Sequence, residues 1–483
     1  MVERRGHTPT PSTHGAHAVL YGAVMRLLLG AWNILVLTTC LTLGGGALAL
    51  AQSVPVTGSA RAITPSMAPP AYPMLTLDEV VERALAVSPN VALGAGGVRT
   101  AQSTQRVARG AYLPTLSLTS AATTTDASST SSTASSVTGL GAQRTLSNQT
   151  LGVGASMDLF TGGRRQADEA FAHAELVAAR STLVSARYTA ALTAQQAFYE
   201  VVRATEFVGV ARTALAEAER LLRYTQAMSR AGTAMRSDLL RAQLQVTTMG
   251  EQLVAANDTL LTATYALGWI TGVDGPAGAK VDSTSVGPRP LALDDSAIMQ
   301  LAATASPSVT ASNAVAAADR AALRAARTQY IPTITATGGY NWAANSNVIT
   351  SGSRPGWTVS VGTSYPLFTG FQREDVVVRA EVASDVARVA ASDARRAGRA
   401  SAALFLSTLR TAETSIALGA ESVRSAGEDL RVQLERYHAG ISTMLDVLTS
   451  ESALVQAEYT LVFARHRYDT TRAALEALIG RRL

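Results

Sequence analysis

Cysteine is nearly absent: Cys40 is the only one in 483 residues, which excludes a disulfide framework and a cysteine metal cluster. Lysine is equally scarce, with Lys280 alone. The net charge of +5 therefore rests on arginines, and these are scattered among acids rather than gathered in blocks. Nucleic-acid binding is not expected from such a pattern. Aromatic residues are only 5% of the chain. His7, His14 and His17 cluster near the start, while His173, His438 and His466 are scattered without ligand spacing. No glycine-rich phosphate loop or nucleophile motif stands out, so no catalytic, cofactor or metal site is expected. Beyond residue 51 no run of about 20 apolar residues remains, and no transmembrane helix is expected. Proline is missing from 162–230 and from 370–439, which leaves both stretches free to be helical.

The N-terminus has the layout of an export signal. Arg26 precedes the apolar run Leu27 to Leu43, and the small residues Gly44-Gly45-Gly46-Ala47-Leu48-Ala49-Leu50-Ala51 follow. This is a charged, then apolar, then cleavable pattern, with the cut expected after Ala49 or Ala51. Residues 1–51 are read as the signal peptide, with Met25 as an alternative start. Cys40 follows Leu37-Thr38-Thr39, as in a lipid-attachment box, but the bulky Thr39 argues against lipidation. Residues 52–75, rich in Pro, Ser and Ala, form a flexible lead-in.

What is abundant is repetition. Ser88-Pro89 and Tyr112-Leu113-Pro114 return as Ser306-Pro307 and Tyr330-Ile331-Pro332 at an offset of 218. Leu159-Phe160-Thr161-Gly162, Ala231-Gly232 and Asp238-Leu239-Leu240 return as Leu367-Phe368-Thr369-Gly370, Ala439-Gly440 and Asp446-Val447-Leu448 at an offset of 208. A fixed offset over such a length is an internal duplication. The expected layout is a first repeat at 76–272, a linker at 273–292 and a second repeat at 293–483.

Each repeat opens with a capped short helix, at Thr76-Leu77-Asp78-Glu79 or Leu293-Asp294-Asp295. A second helix follows, 90–112 or 308–330, ended by the Leu113-Pro114 or Ile331-Pro332 step. Period-two alternation at 151–159 and 357–365 predicts half-buried strands, paired with 116–124 and 334–342. The Ser/Thr/Ala-rich 123–135 is read as a loop holding the ten extra residues of the first repeat. Returning helices carry apolar sevens: Leu239, Val246, Leu253, Leu260, Leu267, and Val447, Leu454, Leu461, Tyr468, Leu475. Partner heptads run through Val184, Tyr188, Ala191, Gln195, Phe198 and Val202, and through Val423, Gly427, Leu430, Leu434 and Tyr437. Such spacing is a coiled-coil seam. Uninterrupted, each long helix would reach about 100 Å.

Four strands cannot close a barrel, and an open sheet edge leaves amides unpaired in lipid. Membrane barrels need about eight strands or more, and three copies would supply twelve. The fold expected is an α+β membrane protein with two internal repeats. Long antiparallel coiled-coil helices project into the periplasm, and four strands per chain build a trimeric outer-membrane β-barrel.

With these motifs in order and in duplicate, the chain resembles the TolC-type outer membrane efflux protein family over essentially all of its mature length. The resemblance rests on Leu77-Asp78 and Leu293-Asp294, the two Ser-Pro turns, the two x-Pro steps, the Phe-Thr-Gly pair and the glycine-bearing helix tips. It implies a homotrimer in outer-membrane lipid, its coiled-coil helices closed into a periplasmic α-barrel, that serves as a passive exit duct of an efflux or type I secretion system, with no catalysis. Its implied partners are a periplasmic adaptor and an inner-membrane pump. It places the periplasmic gate at Asp238, Tyr437, Ser442 and Asp446, with Ser442 where the family has an arginine and Thr449 where it has a second aspartate. A single acidic ring from Asp446, and weaker cation selectivity, is the expectation. Asp238 and Asp446 could equally be helix caps near positive helix ends. Gly232, Thr233, Gly440 and Ile441 would form the rim that meets the adaptor. The alternative is a periplasmic coiled-coil scaffold or adaptor without a pore.

Overall fold

The computed structural model describes residues 72–127, 144–233, 235–281, 288–346 and 352–483. The segment expected to be a signal peptide, Cys40, most of the expected lead-in, residues 128–143 and residues 282–287 lie outside them. The described elements run β1 (Met74–Leu75), α1 (Leu77–Val87), α2 (Pro89–Gly110), β2 (Thr115–Ala127), β3 (Arg144–Phe160), α3 (Arg164–Arg230) and α4 (Arg236–Thr271). Then come β4 (Gly278–Ala279), α5 (Asp295–Thr304), α6 (Pro307–Arg327), β5 (Thr333–Ser346), β6 (Gly352–Ser364), α7 (Gln372–His438) and α8 (Met444–Ile479).

Local chemistry explains the helix starts. The Thr76 amide donates to Glu79 Oε2 at 2.8 Å while the Glu79 amide donates to Thr76 Oγ1, a reciprocal box that satisfies two orphan donors. Asp294 caps α5 by accepting from the Ser296 amide at 3.2 Å. Pro89 and Pro307 occupy the first turns of α2 and α6, where a missing amide costs nothing. The second helices end sooner than the x-Pro steps predict. α2 stops at Gly110, and α6 at Arg327 passes into a 3-10 turn over Thr328–Tyr330. The proline constrains only the residue before it, and the chain has already begun to turn.

One four-stranded antiparallel sheet, ordered β2-β3-β5-β6, joins the two hairpins through the β3–β5 pair. β2 runs past the expected strand end at Thr124 into the segment expected as loop, with Thr125–Ala127 pairing from Thr125↔Leu146 to Ala127↔Arg144. Its threonines are β-branched and suit the pleat better than a turn. The register aligns one chemistry on each face. Leu116 and Leu118 stand with Ala155, Val153 and Leu151, then Tyr340 and Trp342, then Val361, Val359 and Trp357. The opposite face carries Ser117, Thr119, Gly152, Gly154, Asn341, Thr337, Thr358 and Ser360. The larger apolar side chains of the first face are solvent-exposed in the single chain, Trp357 by 78% and Leu116 by 76%.

Aromatic side chains mark two levels of that face. Tyr340 pairs with Trp357, seven register steps from the Thr333↔Ser364 end, which is about 23 Å along the strand. Beyond that end lie exposed Tyr365, Phe368 and Phe371. An apolar band thus lies between two aromatic levels, the order of side chains that outer-membrane barrels show. Phe371 adopts φ 66, the only non-glycine in the left-handed region among the described residues, where the first repeat has Gly163 at φ 83. Below the sheet, Arg165 lies 5.0 Å over the Tyr112 ring and Arg373 5.0 Å over the Tyr330 ring, so both junctions use one cation–π device.

α3 and α7 each run 67 residues, and each pairs with a returning helix of 36. At 1.5 Å per residue the long helices reach about 100 Å. α3 packs on α4 and α7 on α8, with α3 also against α8, and α2 and α6 lie along the long helices near the sheet. The seam holds smaller side chains than the sevens suggest. In α4 the buried row is Ala242, Met249, Ala256 and Ala263, while of the sevens Leu239, Val246, Leu253 and Leu260 are half-buried and Leu267 is buried. In α8, Val447, Tyr468 and Leu475 are buried. Val184 is exposed and does not join the seam. Alanine knobs let helix axes approach closely, and the leucines flank that contact. Midway, Met74–Leu75 pair in parallel with Gly278–Ala279 beside a core of Leu75, Val80, Phe198, Val201 and Leu267. No helix among the described residues is long and apolar enough to cross a membrane.

Candidate functional site

The two helix pairs turn at closely similar tips. After α3, the Gly232 amide donates to Ser229 O at 3.0 Å and the Thr233 amide to Met228 O at 3.0 Å. After α7, the Gly440 amide donates to Tyr437 O at 3.0 Å and the Ile441 amide to Arg436 O at 2.9 Å. Both are Schellman closures, which need a left-handed residue just past the helix. Gly232 and Gly440 supply it at φ 75 and φ 73. A Cβ at either would meet nothing within 4 Å, so glycine is required by backbone conformation and not by crowding. Thr233 and Ile441 are exposed beside them, Ile441 by 70%. The four proposed docking positions therefore form two bare, outward-facing turns.

The starts of the returning helices differ. Thr443 caps α8 and its partner is Asp446: Oδ2 accepts from the Thr443 amide at 2.9 Å and from Thr443 Oγ1 at 2.7 Å. Ser442 Oγ lies 3.1 Å from Asp446 Oδ2 and 3.0 Å from Gln433 Oε1, and its single proton serves one of them. The Thr443 amide holds the Asp446 carboxyl below the usual carboxylate range, helped by the two hydroxyls and by the nearby Arg436. The α4 start has no such arrangement. Its cap residue is Met235, without a side-chain hydrogen bond. Asp238 is buried there, with Arg241 Nη1 at 3.8 Å.

Tyr437 sits between the two hairpins. It is buried among Leu221, Ala242, Leu430, Met444 and Val447, with Tyr224 ring-to-ring at 6.2 Å. Burial pushes its phenol up, partly opposed by the Thr225 hydroxyl and reinforced by the charge of Asp238. Of the expected gate residues, Ser442 and Asp446 form one hydrogen-bonded group, and Tyr437 faces Asp238 across the hairpins. Thr449 donates to Leu445 O of its own helix at 2.8 Å and takes no part. Arg436, Gln433, Thr225 and Tyr224 were not legible from sequence. Their placement depends on which helix faces meet, and no local motif announces that.

Comparisons with known proteins agree with this geometry. The sequence profile described as "Outer membrane efflux protein" matches residues 80–273 and 298–481. Protein CyaE of Bordetella pertussis is 28% identical over 426 residues, which is 84% of each chain. Outer membrane protein TolC of Vibrio cholerae is 25% identical over 289 residues, 59% of this chain and 66% of that one. Among solved structures, the outer membrane protein VceC of Vibrio cholerae superposes with a TM-score of 0.71 at 20% identity, covering 84% of this chain and 96% of that chain. Long helices under a four-stranded sheet, two glycine-closed tips and a profile match over most of the sequence lead to one assignment: the chain belongs to the outer membrane efflux protein family.

Proposed function

We propose that three copies of this chain close their sheets edge to edge, β6 of one against β2 of the next, into a twelve-stranded barrel in the outer membrane. The observation that carries this is the sheet itself, apolar on one face, polar on the other, and with β2 and β6 each paired on one side only among the described residues. Lipid cannot satisfy edge amides, so only closure by further strands makes such a sheet stable in a bilayer. The polar Ser/Thr/Gly/Asn face then lines a water-filled lumen, continued by the helix pairs across the periplasm.

The duct is passive and catalyses nothing. The Schellman turns at Gly232, Thr233, Gly440 and Ile441 present the rim to a periplasmic adaptor, which couples the duct to an inner-membrane pump. Asp238, Tyr437, Ser442 and Asp446 form the gate, with Arg436 supplying the cation that the Ser442 position lacks. Asp446 serves as helix cap and pore-mouth anion together, since a carboxylate holding its own helix start remains ionised. The test is conductance of the purified protein in planar bilayers. Discrete openings that grow in Tyr437→Phe support the duct, and a protein that never conducts, in either form, is a scaffold.

A further inference from the structure

Near the tips the two helix pairs are joined by aromatic rings. Tyr224 of α3 lies 4.2 Å, centroid to centroid, from the His438 ring and 6.2 Å from the Tyr437 ring, at inclinations of 45° and 63°. Tilted aromatic rings at such separations attract one another. The next residue of α3, Thr225, lies beside the Tyr437 phenol. Two successive residues of the first pair therefore grip two successive residues of the second. Tyr437 is buried and Tyr224 half-buried, while His438 closes the contact from the solvent side.

The repeat does not account for these rings. At the offset of 208, Tyr224 matches Val432, while Tyr437 and His438 match Ser229 and Arg230. None of the three carries a ring. Tyr224 is also the last aromatic residue of α3, and α7 has only Phe405 besides Tyr437. Nor does close packing between helices bring the rings together. α3 packs along α4 and α8, and a half-open groove of about 370 Å³ runs between α3, α7 and α8 at this level. Leu221, Leu430 and Leu434 stand in its walls, and Glu451 of α8 is buried there with Gln245 of α4 beside it. The Ser442–Asp446 group, which also reaches Gln433, lies wholly within the second pair and cannot tie it to the first.

We propose that Tyr224 is a gating residue: its ring, held by Tyr437 and His438, clasps the α3–α4 pair to the α7–α8 pair and keeps the tip closed. This rests on the duct and gate reading given above. Tyr437 sits between the two pairs, so the mouth widens there only when the second pair moves off the first. The clasp must part as it does.

The test is the fraction of time that the purified full-chain duct spends open in planar bilayers. Recording at one pH keeps Glu451, whose carboxyl burial pushes up to about 7, from contributing. Tyr224→Leu and His438→Leu should each raise the open fraction by about threefold or more, as the loss of an aromatic pair allows. Together they should raise it no further than the stronger of the two, because both remove one contact. Tyr224→Phe, which keeps the ring, should behave as the unmodified protein. His438 is exposed and its replacement empties no core, so His438→Leu decides the matter even if Tyr224→Leu fails to assemble. Additive effects, an equal rise in Tyr224→Phe, or no rise in His438→Leu would overturn the proposal. If the leucine variants stay closed while Tyr437→Phe opens, the clasp fails and the duct stands. If no form conducts, Tyr437→Phe included, the duct reading fails and the gating role with it.

Discussion

The two hairpin tips share a backbone and differ in how the next helix begins. Both turns close by the same pair of amide bonds around a left-handed glycine. Only the second has a side-chain cap, the Thr443–Asp446 box. The two tips therefore share what the chain direction requires and differ in their capping chemistry. The second tip holds its helix start by a local lock. The first leaves the α4 amides to solvent or a partner, and its buried Asp238 is free to face Tyr437.

That comparison can be broken in several ways. The largest effect is expected from a bulky residue at either glycine. Gly440→Trp should abolish export while the oligomer survives, since the left-handed strain of about 1–2 kcal/mol is local and the indole occupies the docking face. Normal export from that variant would remove the tips from the docking surface. Gly232→Trp shows whether the two rims are equivalent.

A second prediction concerns pH. Glu451 has a folded value above the ordinary 4.5, so its burial opposes ionisation. The sign follows: packing around the second tip is most stable below about pH 4.5 and loses stability as pH rises towards about 7, by an amount on the order of 1–3 kcal/mol. Glu451→Gln should remove that loss, seen as greater amide protection at pH 8 in hydrogen exchange. Equal protection in both proteins across the range would show that the carboxyl has found a partner.

Smaller effects separate the caps. Thr443→Ala should destabilise the start of α8 by about 1 kcal/mol, the usual value of an N-cap hydroxyl. Met235→Ala should leave α4 almost unchanged, because no cap bond is lost. Hydrogen exchange at the two helix starts measures both, and equal losses would erase the asymmetry. Tyr437→Phe removes only a hydroxyl next to Thr225, so stability should fall by about 1 kcal/mol or less. Any rise in conductance that accompanies it then reports the gate and not unfolding.

Much of the fold was legible before the structure, and the misses have physical causes. The capping patterns at Thr76 and Asp294, the x-Pro steps and the period-two strands each act within a few residues, so sequence shows them directly. The expected strand 116–124 stops short at 125–127 because a Ser/Thr-rich stretch reads as a loop, although a paired neighbour makes it a strand. Along most of α4 the seam is displaced for a related reason. Leucines advertise the heptad, but alanines occupy its closest contacts.

The sequence by itself determined the period of each element, the left-handed glycines and the fixed offset between matching motifs, because those follow from chain stereochemistry and local spacing. Only the tertiary structure decided that Asp446 caps while Asp238 does not. It alone placed Tyr437 between the hairpins, Arg436 near Asp446 and Glu451 in a buried position beside Gln245. Those facts depend on which helix faces meet after hundreds of intervening residues. Burial and electrostatics arise from that meeting and from nothing local.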